Sequence, residues 1–400
     1  MNFSKQTDIC SISHQSYKVL VNATTLVKGG ALQVCLAFLM ETLRDRSVQW
    51  HYALSRQVYD QFVKCSSASV IERITTFSVS PSRNSAARRR LKQLAEALEV
   101  DGVFTVFGPA YVQFSVPHLM GVADPWVTHA GFLSFWKLGS LREYIRKPVI
   151  GGYKGIWFRH ADGWVVEAES ARRGLEKRWG LPREKIHVVP NNASHAYLGR
   201  QSFCTFPMGE KTINLLTLSA YYAHKNLEII PLVARRLKDV DGTRDYKFHL
   251  TLPMEGGEWK RIEAKAGALD VLESVVNLGP VPVNMGPDLY ERAQIVFLPS
   301  LLETFSANYP EAMAMGRPIV TTDMPFAHEV CGTAAVYYRP ADAGSAASAI
   351  LSLVESCEIW EASVRKGKDV LDSLPDPKQK YDLYKGAMDK VFLSSEDGST

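Results

Sequence analysis

Strand and helix patterns alternate along nearly all 400 residues, which predicts an α/β chain of parallel sheets covered by helices on both faces. Two further observations divide it into two Rossmann-like domains facing a central cleft. The length suffices for two separate cores. The stretch Ala193 to Glu210, with Gly199, Pro207 and Gly209, shows no clear periodicity and interrupts the rhythm midway. The first domain is therefore set at residues 1–195 and the second at 210–374. A Pro-rich break, Leu374-Pro-Asp-Pro377, sets off a C-terminal helix and tail, 375–400, expected to pack back toward the first domain. Two such sheets place a ligand cleft at the carboxyl ends of their strands.

The strands are short runs rich in β-branched and aromatic residues. In the first half they are expected at Lys18–Ala23, Gln49–Leu54, Ile74–Ser80, Val103–Phe107, His118–Val122, Trp164–Ala168 and Ile186–Pro190. The second half restarts the rhythm at Ile213–Ser219, Phe248–Leu252, Val275–Leu278, Gln294–Pro299, Pro318–Thr322 and Ala335–Tyr338.

A composition of 46% hydrophobic and 22% charged residues excludes a disordered chain, and a net charge of +4 is too small to point to nucleic acid. Cys10, Cys35, Cys65, Cys204, Cys331 and Cys357 are scattered without metal-ligand spacing and read as buried thiols of a reducing compartment. Met1 to Gln15 is polar, so no signal peptide is expected, and the longest apolar run, Ala31 to Met40, is far short of a membrane span. A cytoplasmic protein follows, with any membrane contact peripheral.

The chemistry concentrates at Glu303-Thr-Phe-Ser-Ala-Asn-Tyr-Pro-Glu311. An apolar strand, Ile295-Val-Phe-Leu-Pro-Ser300, runs into the first carboxylate, and Pro310 marks the start of a helix that carries the second. A helix entered this way offers unpaired amides and a positive dipole end, a natural seat for phosphate. Two carboxylates beside that seat would repel phosphate unless they hold something else, and sugar hydroxyls are the obvious candidates. The arrangement suggests a nucleotide-sugar pocket. Gly29 and Gly30, between the first strand and a helical pattern, either bring backbone close to a ligand or simply make a tight turn. They form no GxGxxG element, which argues against a nicotinamide enzyme. Lys225 follows the strand Ile213–Ser219, where a cation would stabilise charge on a departing diphosphate; the plainer alternative is a solvated lysine. Trp126 to Phe158 interleaves aromatics with Lys137, Arg142, Arg146, Lys147 and Lys154. It is either a docking surface for anionic lipid or a polyprenyl diphosphate, or core packing with solvated bases. Pro148 and Gly151-Gly152 are expected to interrupt any long helix there.

Taken in order, these pieces resemble a retaining glycosyltransferase of family 4 with the two-domain GT-B fold. The matching stretches are Lys28-Gly-Gly30, Ala161 to Ser170 with Lys185 to Asn191, His224-Lys-Asn-Leu227, Glu303 to Glu311, Pro318 to Asp323, and Glu329-Val-Cys-Gly332. The resemblance implies that Glu311 holds the ribose hydroxyls and Glu303 the transferred sugar. Phe305, Ser306, Ala307 and Asn308 would turn their amides to the phosphates, with Lys225, Gly29 and Gly30 also at the donor. Glu303 would further stabilise positive charge in an oxocarbenium-like transition state. The family's acceptor-side His is replaced by Ala123-Asp124, with histidines displaced to His118 and His129. Asp124 and His129 are expected to line the cleft, and His118, which begins its strand, to be a packed residue. The family's Arg before the lysine is absent from Ser219-Ala-Tyr-Tyr222, so Lys225 would act with another base, such as Arg317, or with backbone amides.

The implied activity is metal-independent transfer of a hexose-type sugar, without a cofactor, from a nucleotide-sugar to a saccharide or polyprenyl-diphosphate-linked acceptor. O-antigen or capsule assembly at the inner face of a cell membrane is the implied setting. Asp239-Val-Asp241 has the letters of a metal motif but follows a predicted helix. A sugar-nucleotide epimerase or glycoside phosphorylase on the same fold, or a non-catalytic scaffold, stands as the alternative.

Overall fold

The computed structural model describes residues 17–27, 29–131, 135, 141–200, 202 and 204–393, leaving the side chains of 141–143 and 283 out of account. Lys28, Trp136, Lys137, Cys10 and the side chain of Arg142 therefore lie outside the described residues. Among the described residues thirteen strands form two sheets, and every pairing is parallel. The first contains β1 (Lys18–Ala23), β2 (Gln49–Ser55), β3 (Ile74–Phe77), β4 (Gly102–Thr105), β5 (His118–Gly121), β6 (Gly163–Val166) and β7 (Ile186–Val188), in the order β3-β2-β1-β4-β5-β6-β7. The second contains β8 (Thr212–Thr217), β9 (Asp245–Leu250), β10 (Val275–Asn277), β11 (Ile295–Leu298), β12 (Ile319–Thr322) and β13 (Ala335–Tyr338), in the order β10-β9-β8-β11-β12-β13. Each strand expected from the sequence is present. The one expected at Ile74–Ser80 closes at Phe77, where its pairing with Tyr52–Ser55 ends. Strands β4, β6, β11 and β12 are buried at every position because helices cover both faces, and β6 and β11 accordingly read as unbroken apolar runs.

In each sheet the order reverses once, between β1 and β4 and between β8 and β11, and these reversals open crevices at the carboxyl ends of the strands. The crevice of the first sheet is braced by buried Asn22 at the end of β1. Its Nδ2 donates to Thr105 Oγ1 at 3.0 Å, and its Oδ1 accepts from the Thr24 amide at 3.1 Å. The loop that leads to Gly29 is thereby fixed at its root.

The aperiodic stretch Ala193 to Glu210 packs on the second domain. Tyr197, in the short helix His195–Leu198, is buried edge-on against Tyr290 with ring centroids 5.5 Å apart, and Phe206 meets Trp360 at 6.0 Å. The chain then returns through the helix Pro377–Phe392, which opens with a capping box between Asp376 and Gln379. This return helix joins the core of the first sheet through Tyr381, Tyr384, Met388 and Phe392. Phe38 sits at the centre of that core, 5.0 Å from Phe104 and 5.4 Å from Tyr384. A Cβ at Gly102 would lie 2.6 Å from the Phe392 ring, so β4 carries glycine where the helix lands.

Two expectations need correction. The helix Leu141–Phe158 runs unbroken through Pro148 and Gly151-Gly152. Gly155 is a site of close packing, where a Cβ would stand 1.9 Å from the Trp179 ring; one at Gly151 would make ordinary contact with the Trp126 carbonyl at 3.4 Å, and one at Gly152 would meet nothing within 4 Å. Tertiary contact there overrides local propensity. Of the cysteines, Cys35 and Cys331 are buried thiols, but Cys65 and Cys357 are exposed. Among the described residues, no helix is long and apolar enough to cross a membrane.

Truncating the return helix at its landing point should unsettle the first domain. Phe392→Ala is expected to cost about 3–5 kcal/mol in urea unfolding, and a midpoint equal to wild type would contradict this packing account.

Candidate active site

The loops after β8 and β11 bring the second domain's polar residues together. Lys225 and Glu303 form an ion pair, with both side chains largely buried. Burial pushes the Glu303 carboxyl up, but the Lys225 ammonium beside it more than offsets this and holds it below the usual carboxylate range. The loops are tied together by the Leu301 amide, which donates to the His224 carbonyl at 2.7 Å. Burial lowers His224 to about 4, so its ring is neutral at pH 7. Ser306 adopts a left-handed conformation with φ 70°, turning the chain sharply into the helix Asn308–Ala314. That helix begins two residues before Pro310, which falls within its first turn.

Glu311 lies in the same turn, at the end of a relay. Asn308 Nδ2 donates to the Leu218 carbonyl at 2.8 Å and to Tyr290 Oη at 3.1 Å, and the Tyr290 hydroxyl donates to Glu311 Oε2 at 3.1 Å. Burial raises the Glu311 carboxyl from 4.5 to about 7. The two glutamates thus differ in kind. Glu303 is kept charged by its ammonium, whereas Glu311 sits near the midpoint of its titration, able to donate as well as accept.

The first domain reaches this cluster through His129. Its Nε2–H donates to the Glu303 carbonyl at 2.6 Å, leaving Nδ1 to accept from the Thr128 hydroxyl at 2.8 Å. His129 therefore meets the Glu303 loop from across the cleft, with its pKa lowered by burial. Asp124 is committed to structure on its own side. One oxygen caps the helix Pro125–Thr128 through the Trp126 amide at 3.0 Å, and the other pairs with Lys154 at 2.6 Å. Gly29 takes φ 80° at the start of the helix Gly30–Thr42, and a Cβ on either Gly29 or Gly30 would meet nothing within 4 Å. The space above this loop is open. His118 is a packed residue, its Nε2 2.8 Å from Thr105 Oγ1.

Arg317 does not join Lys225. Its guanidinium is buried and donates to the Tyr290 carbonyl at 2.7 Å, the Glu291 carbonyl at 3.1 Å and Ser202 Oγ at 3.0 Å. Asp241 accepts from Thr243, Tyr246 and Arg244 in the turn after the helix Ile230–Val240, and Asp239 pairs with Arg235 along that helix, so both carboxylates are committed to local structure.

Several neighbours were given no role in the sequence reading, although Glu167 and Glu329 lie in stretches that carried the resemblance. Glu167, just beyond β6, is buried beside Thr304, whose hydroxyl donates to it at 3.5 Å; burial raises its carboxyl. Lys380 of the return helix donates to Asn191 Oδ1 at 2.6 Å and is lowered by burial to about 8. Glu329 of the second domain accepts from the amides of Glu169 and Ser170 (the latter at 3.0 Å), which open the helix Glu169–Trp179 of the first. Tyr290, which positions Glu311, lies 21 residues before it in another helix.

A carboxyl raised in the folded state keeps a proton that the unfolded chain has released, so Glu311 makes stability fall as pH climbs from about 4.5 to about 7, levelling off above. Glu311→Gln removes this. The stability of wild type relative to the variant should decline over that window by up to about 3 kcal/mol, and by less where solvent reaches the carboxyl. Urea denaturation at a series of pH values measures it, and a flat difference would refute the shift.

Residues 212–356 match the family model for glycosyl transferases group 1. Over 221 residues the chain is 26% identical to the O-antigen chain mannosyltransferase RfbU of Salmonella typhimurium, across 54% of this chain and 52% of that protein. The match thus spans about half the length of that relative. The fold is similar to that of a glycosyltransferase from Rickettsia africae (TM-score 0.68, 14% identity, 96% of this chain and 100% of that one). It is also similar to that of Anabaena Alr3699/HepE, solved with UDP and glucose (TM-score 0.67, 15% identity, 93% and 99%). The chain thus has the two-domain GT-B fold, and the part of it that matches the glycosyl transferases group 1 model lies in the second domain.

Proposed function

We propose that the protein is a retaining, metal-independent glycosyltransferase. It moves a hexose-type sugar from a nucleotide-sugar to a saccharide or lipid-linked saccharide in the assembly of a surface polysaccharide. The observation that carries this reading is the convergence of Lys225, Glu303 and Glu311 at the carboxyl end of the second sheet, facing His129 of the first. The O-antigen mannosyltransferase relative and the UDP and glucose held by Alr3699/HepE support the donor and setting.

On this reading the Lys225–Glu303 pair opens as the donor enters. The ammonium turns to the diphosphate, and the carboxylate accepts from hydroxyls of the transferred sugar. Glu311 takes the ribose diol, with Tyr290 fixing its orientation. The bond from the anomeric carbon to the diphosphate oxygen breaks with its electron pair left on the diphosphate, where Lys225 and the amides at the helix start stabilise the charge. The acceptor hydroxyl attacks from the same face, and its proton passes to the departing phosphate oxygen. His129 steadies the Glu303 backbone throughout. An ionised Glu303 also favours the positive charge that develops on the sugar.

Ligand-observed NMR with UDP-, GDP-, dTDP- and ADP-sugars tests the donor site. One nucleotide class should bind, and Glu311→Ala should weaken it by at least about tenfold. Binding to none of them would favour a scaffold. Glu303→Gln should retain the nucleotide yet lower turnover by about 10²–10³-fold, unaffected by chelator; full turnover in this variant would sink the assignment.

A further inference from the structure

The helix Leu141–Phe158 has two unlike faces. Inward, Gly151, Gly155 and the buried Phe158 pack toward Trp126 and Trp179, Lys154 pairs with Asp124, and Lys147 lies over the Trp126 ring at 5.2 Å. Outward, Ile145, Val149 and Ile156 form one stripe at helical spacing, with exposures of 57%, 65% and 58%. Tyr153 flanks it, and Tyr144, whose ring meets Phe135 at 5.8 Å, is exposed on the other side of the helix. Five of the 18 exposed large apolar residues among the described residues thus fall on this one helix, a patch rather than scatter.

The helix Ser85–Ala97 lies beside it. Arg88 donates to Tyr153 Oη at 3.2 Å and stacks over Tyr111 and Trp157 at 5.4 and 5.2 Å. Arg89, Arg90 and Lys92, which follow, are exposed. Across the two helices the sequence has eight bases against two acids, an excess of six, where the whole chain is only +4. The rest of the molecule is therefore net negative, and the positive excess belongs to these two helices.

We propose that this two-helix face docks on an anionic lipid surface. Ile145, Val149 and Ile156 enter the boundary between headgroups and acyl chains, while the exposed bases Arg89 and Lys92 of the neighbouring helix meet lipid phosphates. A second copy of the chain is the poorer occupant, because it would bring the same positive excess against itself. The inner side of the same helix holds Asp124 at the cleft, so the membrane would lie about one helix diameter, ~10 Å, from the first domain's strand ends. Only the corollary that an acceptor could be lipid-linked rests on the transferase reading; the docking does not.

Co-sedimentation of the full chain with phosphatidylcholine vesicles, with and without phosphatidylglycerol, tests this. Binding should require phosphatidylglycerol and fall with added salt. Val149→Ser/Ile156→Ser and Arg89→Ala/Lys92→Ala should each weaken it by about tenfold. Both pairs point to solvent, and unchanged thermal melts would confirm folding. Failure of wild type to bind, or binding indifferent to both double variants, would overturn the proposal. So would self-association in light scattering that Val149→Ser/Ile156→Ser abolishes. Nucleotide binding by the same samples reads the donor site separately, so failure of one reading does not pass for failure of the other.

Discussion

Glu303 is held from both sides of the cleft, and the rest of the site depends on that double hold. Its carboxylate pairs with Lys225 within the second domain, and its carbonyl accepts from His129 of the first. A carboxylate this buried would otherwise shed its charge, so the ammonium keeps it an anion and the imidazole fixes where it stands. Lys225 in turn is placed by the loop that the Leu301 amide fastens to the His224 carbonyl. Cation, anion and neutral histidine thus form one unit drawn from three loops at strand ends.

The architecture explains why those loops meet. All the strands are parallel, so the carboxyl ends of each sheet lie together, and the two reversals of strand order open crevices there. The return helix then closes the chain on itself. It leaves the second domain and embeds aromatic residues in the core of the first, so the domains are joined at two places along the backbone.

Much of this was legible in the sequence, for identifiable reasons. The strands are short runs rich in β-branched and aromatic residues set between helical patterns, so they stood out. Glu303 and Glu311 stood out because a strand led into one and a proline preceded the other. What remained hidden depends on contacts between distant residues. Nothing near Glu311 announces Tyr290, and nothing in the return helix marks Lys380 as a buried neighbour of the cleft. Arg317 looked available as a base until its guanidinium was found bound to carbonyls. The helix through Pro148 was misjudged for the same reason: Gly155, which weakens it locally, lets it settle against the Trp179 ring.

The contact between Glu329 and the helix Glu169–Trp179 carries a consequence of its own. Ala168, at the head of that helix, has no side chain to cap it, and the carboxylate that does so belongs to the other domain. The first turn of the helix is complete only while the domains keep their present separation. Any hinge motion leaves the amides of residues 169 and 170 to water, so their deuterium uptake would report the gap between the domains.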